Sequence, residues 1–152
     1  MTKFTLVFVF ILGWAGSALA VGPDQKTTDE ILTLERQTME GWQRGNPDPV
    51  LALSAPEITY FHVITEQRVD GLDALRKLFE PYRGRPLFDG YEIADPKVQI
   101  SGRVAVLTYR LVTRNGPTVR HWNGTQVYEQ KKEGWRIIHS HWSQANVAPT
   151  NQ

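Results

Sequence analysis

The sequence contains no cysteine. That excludes disulfides, thiolate nucleophiles and cysteine-bound metal, and leaves packing alone to hold the fold together. An excess of charge of one sign is also missing. Of the 17 Lys and Arg residues one, Lys3, lies in the leader described below, which leaves 16 basic against 16 acidic residues in the remainder. A nucleic-acid or anionic-membrane surface needs a basic surplus, so neither is expected as a partner. The chain has no internal repeat, no low-complexity segment and no apolar run long enough to span a bilayer, which takes roughly 20 residues.

What is present begins with a leader. Met1-Thr2-Lys3 is a short cationic start, Phe4 to Trp14 is nearly unbroken apolar sequence, and Ala18-Leu19-Ala20 offers small residues at a cleavage site. This three-part pattern predicts a signal peptide over residues 1–20, an exported (secreted or periplasmic) product starting near Val21, and no membrane contact after cleavage. Residues 21–152 then suffice for one domain with a core.

Thr27 and Glu30 have the spacing of a capping box, followed by Ile31, Leu34, Thr38 and Trp42 at helical period, with Glu35 assigned to the opposite, solvated side. Gly45-Asn46-Pro47 ends this helix, and Asp48-Pro49 opens a short second one. From Glu57 the pattern alternates, with Ile58, Tyr60, His62 and Ile64 on one face of a strand. Glu66-Gln67 turns the chain, and Leu72, Leu75, Leu78 and Phe79 form the stripe of a third helix. The region Tyr91–Ile100, interrupted by Asp95-Pro96, suits an edge or bulged strand. Val104–Thr113 is apolar on both faces, as a covered central strand is. The densest stretch is His121–Ser143, a hairpin about Lys131–Gly134 that holds three of the four histidines and three of the five tryptophans. The predicted fold is α+β: a strongly curved antiparallel sheet wrapped over a long N-terminal helix, with two further helices and a cone-shaped pocket between.

Three segments carry a family resemblance: Val69-Asp70-Gly71-Leu72-Asp73, Asp95-Pro96-Lys97-Val98, and Gly134-Trp135-Arg136-Ile137-Ile138-His139-Ser140-His141-Trp142-Ser143. Together they resemble the nuclear transport factor two-like, cystatin-like superfamily. Within it they most resemble the association (hub) domain of calcium/calmodulin-dependent protein kinase II and its stand-alone bacterial relatives. The resemblance implies self-assembly through the sheet, as a homodimer or larger ring, and an internal pocket for a small-molecule ligand. The hub's pocket arginines match positions at or beside Leu111, at Gln126 and at Trp142, and its pocket histidine matches a position near Leu75. This sequence differs at all four, with Arg110 one residue from the first. Fold and assembly are therefore implied more directly than any preference for acidic ligands.

Candidate site residues follow. Trp42, Arg110, Gln126, Ser140 and Trp142 are expected to line the pocket, with Ile138, Ser140 and Trp142 sharing its side of the last strand. Arg110 needs a carboxylate partner, for which Glu129 and Glu92 are candidates. His139 and His141 fall on the other face, where a subunit contact is expected. Two imidazoles at this spacing can share one ion. A metal site also needs a third ligand, for which His121 or His62 would have to converge, and no cysteine or tight Asp/Glu cluster joins them. A metal site is therefore the weaker option, and no metal and no cofactor are predicted. The resemblance extends to ketosteroid-isomerase-like and polyketide-cyclase (SnoaL-like) enzymes, which move a proton with Asp or His. That implies an alternative isomerase, cyclase or dehydratase function with His62 as base and Tyr60 or Tyr109 as donor. The preferred expectation is a non-catalytic, ligand-holding assembly domain.

Overall fold

The computed structural model describes residues 23–146. The expected leader, residues 1–20, lies outside the described residues. Among these, no helix is long and apolar enough to cross a membrane.

Helix α1 spans Pro23–Gln43 and is longer than expected at its start. Thr27 lies inside it rather than capping it, and Thr28 instead donates its hydroxyl to the Asp24 carbonyl at 2.8 Å. The chain turns out of the helix at Gly45, whose φ of 69° suits a residue without Cβ. A Cβ there would come within 2.6 Å of the Arg85 backbone, so the end of α1 and the loop after the third helix pack too closely for any side chain. Helix α2, Asp48–Leu53, buries Leu51 and Leu53. Helix α3, Leu72–Phe79, buries Leu75 and Phe79 and continues into a 3-10 turn over Glu80–Tyr82.

The strands are β1 (Ser54–Phe61), β2 (Val69–Asp70), β3 (Gly90–Ser101), β4 (Val104–Asn115), β5 (Thr118–Lys131) and β6 (Gly134–Gln144). They form one six-stranded sheet in the order β2-β1-β6-β5-β4-β3. The expected wholly antiparallel sheet is corrected in one place: β1 runs parallel to β6. The connection leaves β1 through β2, α3 and the whole β3–β5 meander before returning, and a link of that length permits a parallel pair. Strand β1 is also shorter than the alternation suggested. It stops at Phe61, and His62 to Thr65 form a turn in which the Thr65 amide donates to the His62 carbonyl at 2.9 Å.

Three register shifts interrupt the sheet, one of them in the β1–β6 pair between Ser54 and Thr59. The register of β3 against β4 shifts between Ala94 and Lys97, where Asp95 takes a φ of 49°, in line with the bulged edge strand read from Asp95-Pro96. The third shift lies between β5 and β6: Val127 pairs with His139 and Tyr128 with Ile137, leaving Ile138 as an extra residue. The core fills the space between the concave sheet face and the helices. Ile31, Met39 and Trp42 come from α1 and Leu75 and Phe79 from α3, against Leu107, Tyr128, Trp135 and Ile137 of the sheet.

Candidate functional site

The cone expected from sequence is present. A cavity of about 520 Å³ lies between the helices and the concave sheet face, within the usual range for small-molecule sites. Trp42, Gln126, Ser140 and Trp142 line it, together with Tyr60, His62, Leu75 and Phe79. Trp42 meets Phe79 edge-on at 4.8 Å, and Phe79 meets Tyr60 edge-on at 5.5 Å, so the wall under α3 is a continuous aromatic surface.

Trp142 owes its position to Gly124. The two residues are paired across β5 and β6. A Cβ on Gly124 would lie 3.0 Å from the Trp142 ring and 3.2 Å from that of Tyr109. The indole therefore lies over bare backbone and meets Tyr109 edge-on at 5.6 Å. The bulge at Ile138 then decides which β6 residues look inward. Ile137, Ser140 and Trp142 face the cavity, and Ile138, expected on that face, does not line it. Simple alternation from Trp142 back to Ile138 fails because the extra residue resets the period by one.

Arg110 is a clear correction. It lies on the convex face with its side chain 63% exposed, and its partner is Asp95 rather than Glu92 or Glu129. It does not line the cavity. Its β4 neighbours Tyr109 and Leu111 are buried, and alternation sends the residue between them outward. Tyr109 is corrected in role. It is buried, does not line the cavity, and gives its hydroxyl to Glu35.

Glu35 is the residue that sequence reasoning missed. It is fully buried. Its carboxylate accepts from the hydroxyls of Tyr109 and Tyr128 (the latter at 2.6 Å), and more distantly, at 3.5 Å, from Gln126 Nε2 and Thr38 Oγ1. Burial pushes its pKa up, and these four donors act in the opposite direction. Burial, with the adjoining Glu35 charge, also holds both tyrosines well above their ordinary value. A signal was available. Ile31, Glu35, Thr38, Met39 and Trp42 follow i, i+4, i+7, i+8, i+11, the spacing of one helix face. Charge outweighed spacing in the assignment to solvent.

Gln126 stands between this network and the cavity. Its Nε2 points to Glu35, and its Oε1 is the one buried side-chain polar atom among the described residues without a hydrogen-bond partner.

His62 lines the cavity and is half-buried. Its ring stacks on Tyr60 at 5.9 Å and tilts against Trp122 at 5.6 Å. Burial lowers its pKa, favouring the neutral ring. Nδ1 accepts the Ile64 amide at 3.2 Å. A neutral imidazole that accepts at Nδ1 carries its proton on Nε2, so the free edge of His62 is a donor. Tyr60 is held above the ordinary tyrosine range, chiefly by burial. His139 and His141 are on the convex side, as expected. His139 Nδ1 is 2.8 Å from Thr59 Oγ1, and both rings pack against Phe61, which is 41% exposed. No group of three or more His, Cys, Asp or Glu arranged to hold a metal occurs among the described residues.

A six-stranded curved sheet packed on three helices around an internal cone defines the nuclear transport factor two-like class of α+β protein. A profile of the calcium/calmodulin dependent protein kinase II association domain matches residues 27–146, and the chain belongs to that family. Among solved structures, a candidate ketosteroid isomerase from Parabacteroides distasonis ATCC 8503 is 30% identical, with a TM-score of 0.71, covering 82% of this chain and 90% of that one. The S. rosetta CaMKII hub is 23% identical, with a TM-score of 0.65 over 84% of this chain and all (100%) of the hub. A candidate dehydratase of the NTF2-like family from Streptomyces avermitilis shares the fold at 15% identity, with a TM-score of 0.66 over 83% and 100% of the two chains. No curated protein sequence matches the chain.

Proposed function

We propose that this chain is an exported, stand-alone association domain that assembles with copies of itself and holds a small, largely apolar ligand in its cone without transforming it. The observation that carries the reading is the cavity itself. About 520 Å³ is walled by Trp42, Phe79, Tyr60 and Trp142, and its inner polar groups, Thr38, Gln126 and Ser140, are uncharged. An anion at that inner end would lose its hydration beside the Glu35 carboxyl behind Gln126, while the guanidinium that lines the cavity, Arg120, lies six residues along β5 from Gln126, an unfavourable exchange. Self-association is supported by family membership and by the exposed Phe61 between His139 and His141 on the convex face. Export rests on the sequence of the first twenty residues.

Proton transfer by His62 has less support. The likeness to a candidate ketosteroid isomerase favours it, but a base must offer a lone pair to the substrate, and the Nδ1 lone pair of His62 is occupied by the Ile64 amide. Titration with Nile red, a neutral dye that brightens in apolar surroundings, tests the ligand-holding function. Saturable binding near one dye per chain, weakened severalfold in Trp142→Ala, is expected. Emission that rises linearly without saturation would reject a cavity that binds.

A further inference from the structure

Gln126 Oε1 is a buried carbonyl oxygen, on a side chain only 2% exposed, with no donor among the described residues. Buried acceptors are ordinarily paired, and each exception asks what completes it. The fold does not turn the amide the other way. Nε2 is directed to Glu35, which already collects the hydroxyls of Tyr109, Tyr128 and Thr38. An amide turned the other way would set its oxygen against Glu35 Oε1, which already accepts the Tyr109 hydroxyl. Glu35 thus fixes the orientation of the amide and leaves its oxygen for something else.

Three neighbouring features restrict what that is. Gln126 pairs with Ser140 across β5 and β6, and both residues line the cavity with Thr38, so the inner end of the cone is polar but uncharged. Trp142 and Trp42 line the same cavity, which favours a flat apolar skeleton. The cavity's guanidinium, Arg120, belongs to an exposed residue near the start of β5, six positions along the strand from Gln126, too far to neutralise a charge at the inner end.

We propose that the cavity selects a neutral, ring-sized apolar molecule carrying a hydroxyl group, a phenol or an alcohol, whose O–H donates to Gln126 Oε1 at the inner end of the cone. This rests on the ligand-holding function proposed above and adds the chemical class of the ligand. An ether of the same shape leaves the oxygen unpaired. A carboxylate adds an uncompensated charge beside two oxygen acceptors. Both are disfavoured for reasons independent of size.

Equilibrium dialysis of the purified chain with 2-naphthol, 2-methoxynaphthalene and 2-naphthoate at neutral pH tests the proposal. The wild type is expected to hold the naphthol ~tenfold more tightly than the ether or the carboxylate, as removal of a donor facing a buried acceptor requires. In Gln126→Met, checked for native near-ultraviolet circular dichroism, the naphthol should fall to the affinity of the ether, whose own binding changes little. Should the variant fail to fold, the wild-type ranking alone decides. Equal affinity for naphthol and ether means that water or nothing completes Gln126, and overturns the proposal. Tighter binding of the naphthoate overturns it as well. If Nile red saturates while the three probes are not distinguished, only this inference fails. If neither Nile red nor any probe binds, the ligand-holding function fails with it.

Discussion

Glu35 sits where an apolar residue would be the simpler choice, and its cost is visible in its chemistry. Burial favours the protonated form, and two tyrosines, an amide and a threonine hydroxyl recover part of the loss by donating to it. The consequence for stability has a definite sign. The folded chain binds this proton more tightly than the unfolded chain, whose carboxyl titrates near 4.5. Stability that is fully present below about pH 4.5 is therefore lost as the pH rises from there through the raised folded value. Glu35→Gln removes the titrating group and keeps one carbonyl oxygen as acceptor for one of the two tyrosine hydroxyls, which donate to different oxygens of Glu35. Thermal melts between pH 4 and 8 are expected to show this downward component in the wild type and not in the variant. Identical slopes in the two proteins would mean that Glu35 stays ionised in the fold throughout.

In β6 one extra residue lets odd-numbered Trp135 and Ile137 and even-numbered Ser140 and Trp142 share the inner face. Ile138 is unpaired, and beyond it Ser140 and Trp142 point into the cone while His139 and His141 point outward. Deleting Ile138, with the turn at Lys131–Gly134 fixed, removes the extra residue and leaves Ile137 opposite Tyr128, His139 opposite Val127 and Ser140 opposite Gln126. Trp142 would stay inward and the two histidines outward, so the change costs about 1 kcal/mol, the usual scale for losing a half-buried side chain. A folded chain with a denaturant midpoint close to that of the wild type is expected. A chain that no longer folds would show that the bulge itself, and not alternation alone, is needed to hold the strand's two faces.

How much was readable follows from the same element. Alternation and turn residues placed the hairpin, and helical spacing placed α1 and α3, because those patterns record which face meets the core. The two faces of β6 near its end were separable because Ser140 and Trp142 lie on the same side of the bulge. Ile138 was misplaced, since nothing local in Arg136-Ile137-Ile138-His139 distinguishes a bulge from continuous strand. The pairing of β1 with β6 was not legible either. It joins residues such as Thr59 and His139, 80 positions apart, whose hydroxyl–imidazole contact exists only after the meander has closed. Glu35 was misjudged because its partners, Tyr109, Gln126 and Tyr128, come from two distant strands. Arg110 failed for a simpler reason: similarity to the hub placed it one position from a pocket residue, and in a strand one position is the opposite face.

At the scale of the whole molecule the two surfaces of the sheet divide the work. The concave face holds the cavity, closed by helices that bring Trp42, Leu75 and Phe79 to it. The convex face is left with Phe61 exposed beside His139 and His141, and with Arg110 paired only to Asp95. An aromatic side chain flanked by two imidazoles can be covered without burying an unpaired carboxylate, which makes this end of the sheet the better place for a second copy. We propose that the chain assembles as its family's domain does and keeps the cone for a ligand. Multi-angle light scattering on residues 21–152, over a hundredfold range of concentration, weighs the wild type beside Phe61→Glu. A discrete dimer or larger ring is expected for the wild type and a smaller species for the variant. A wild-type chain that remains monomeric over the whole range would contradict the proposal.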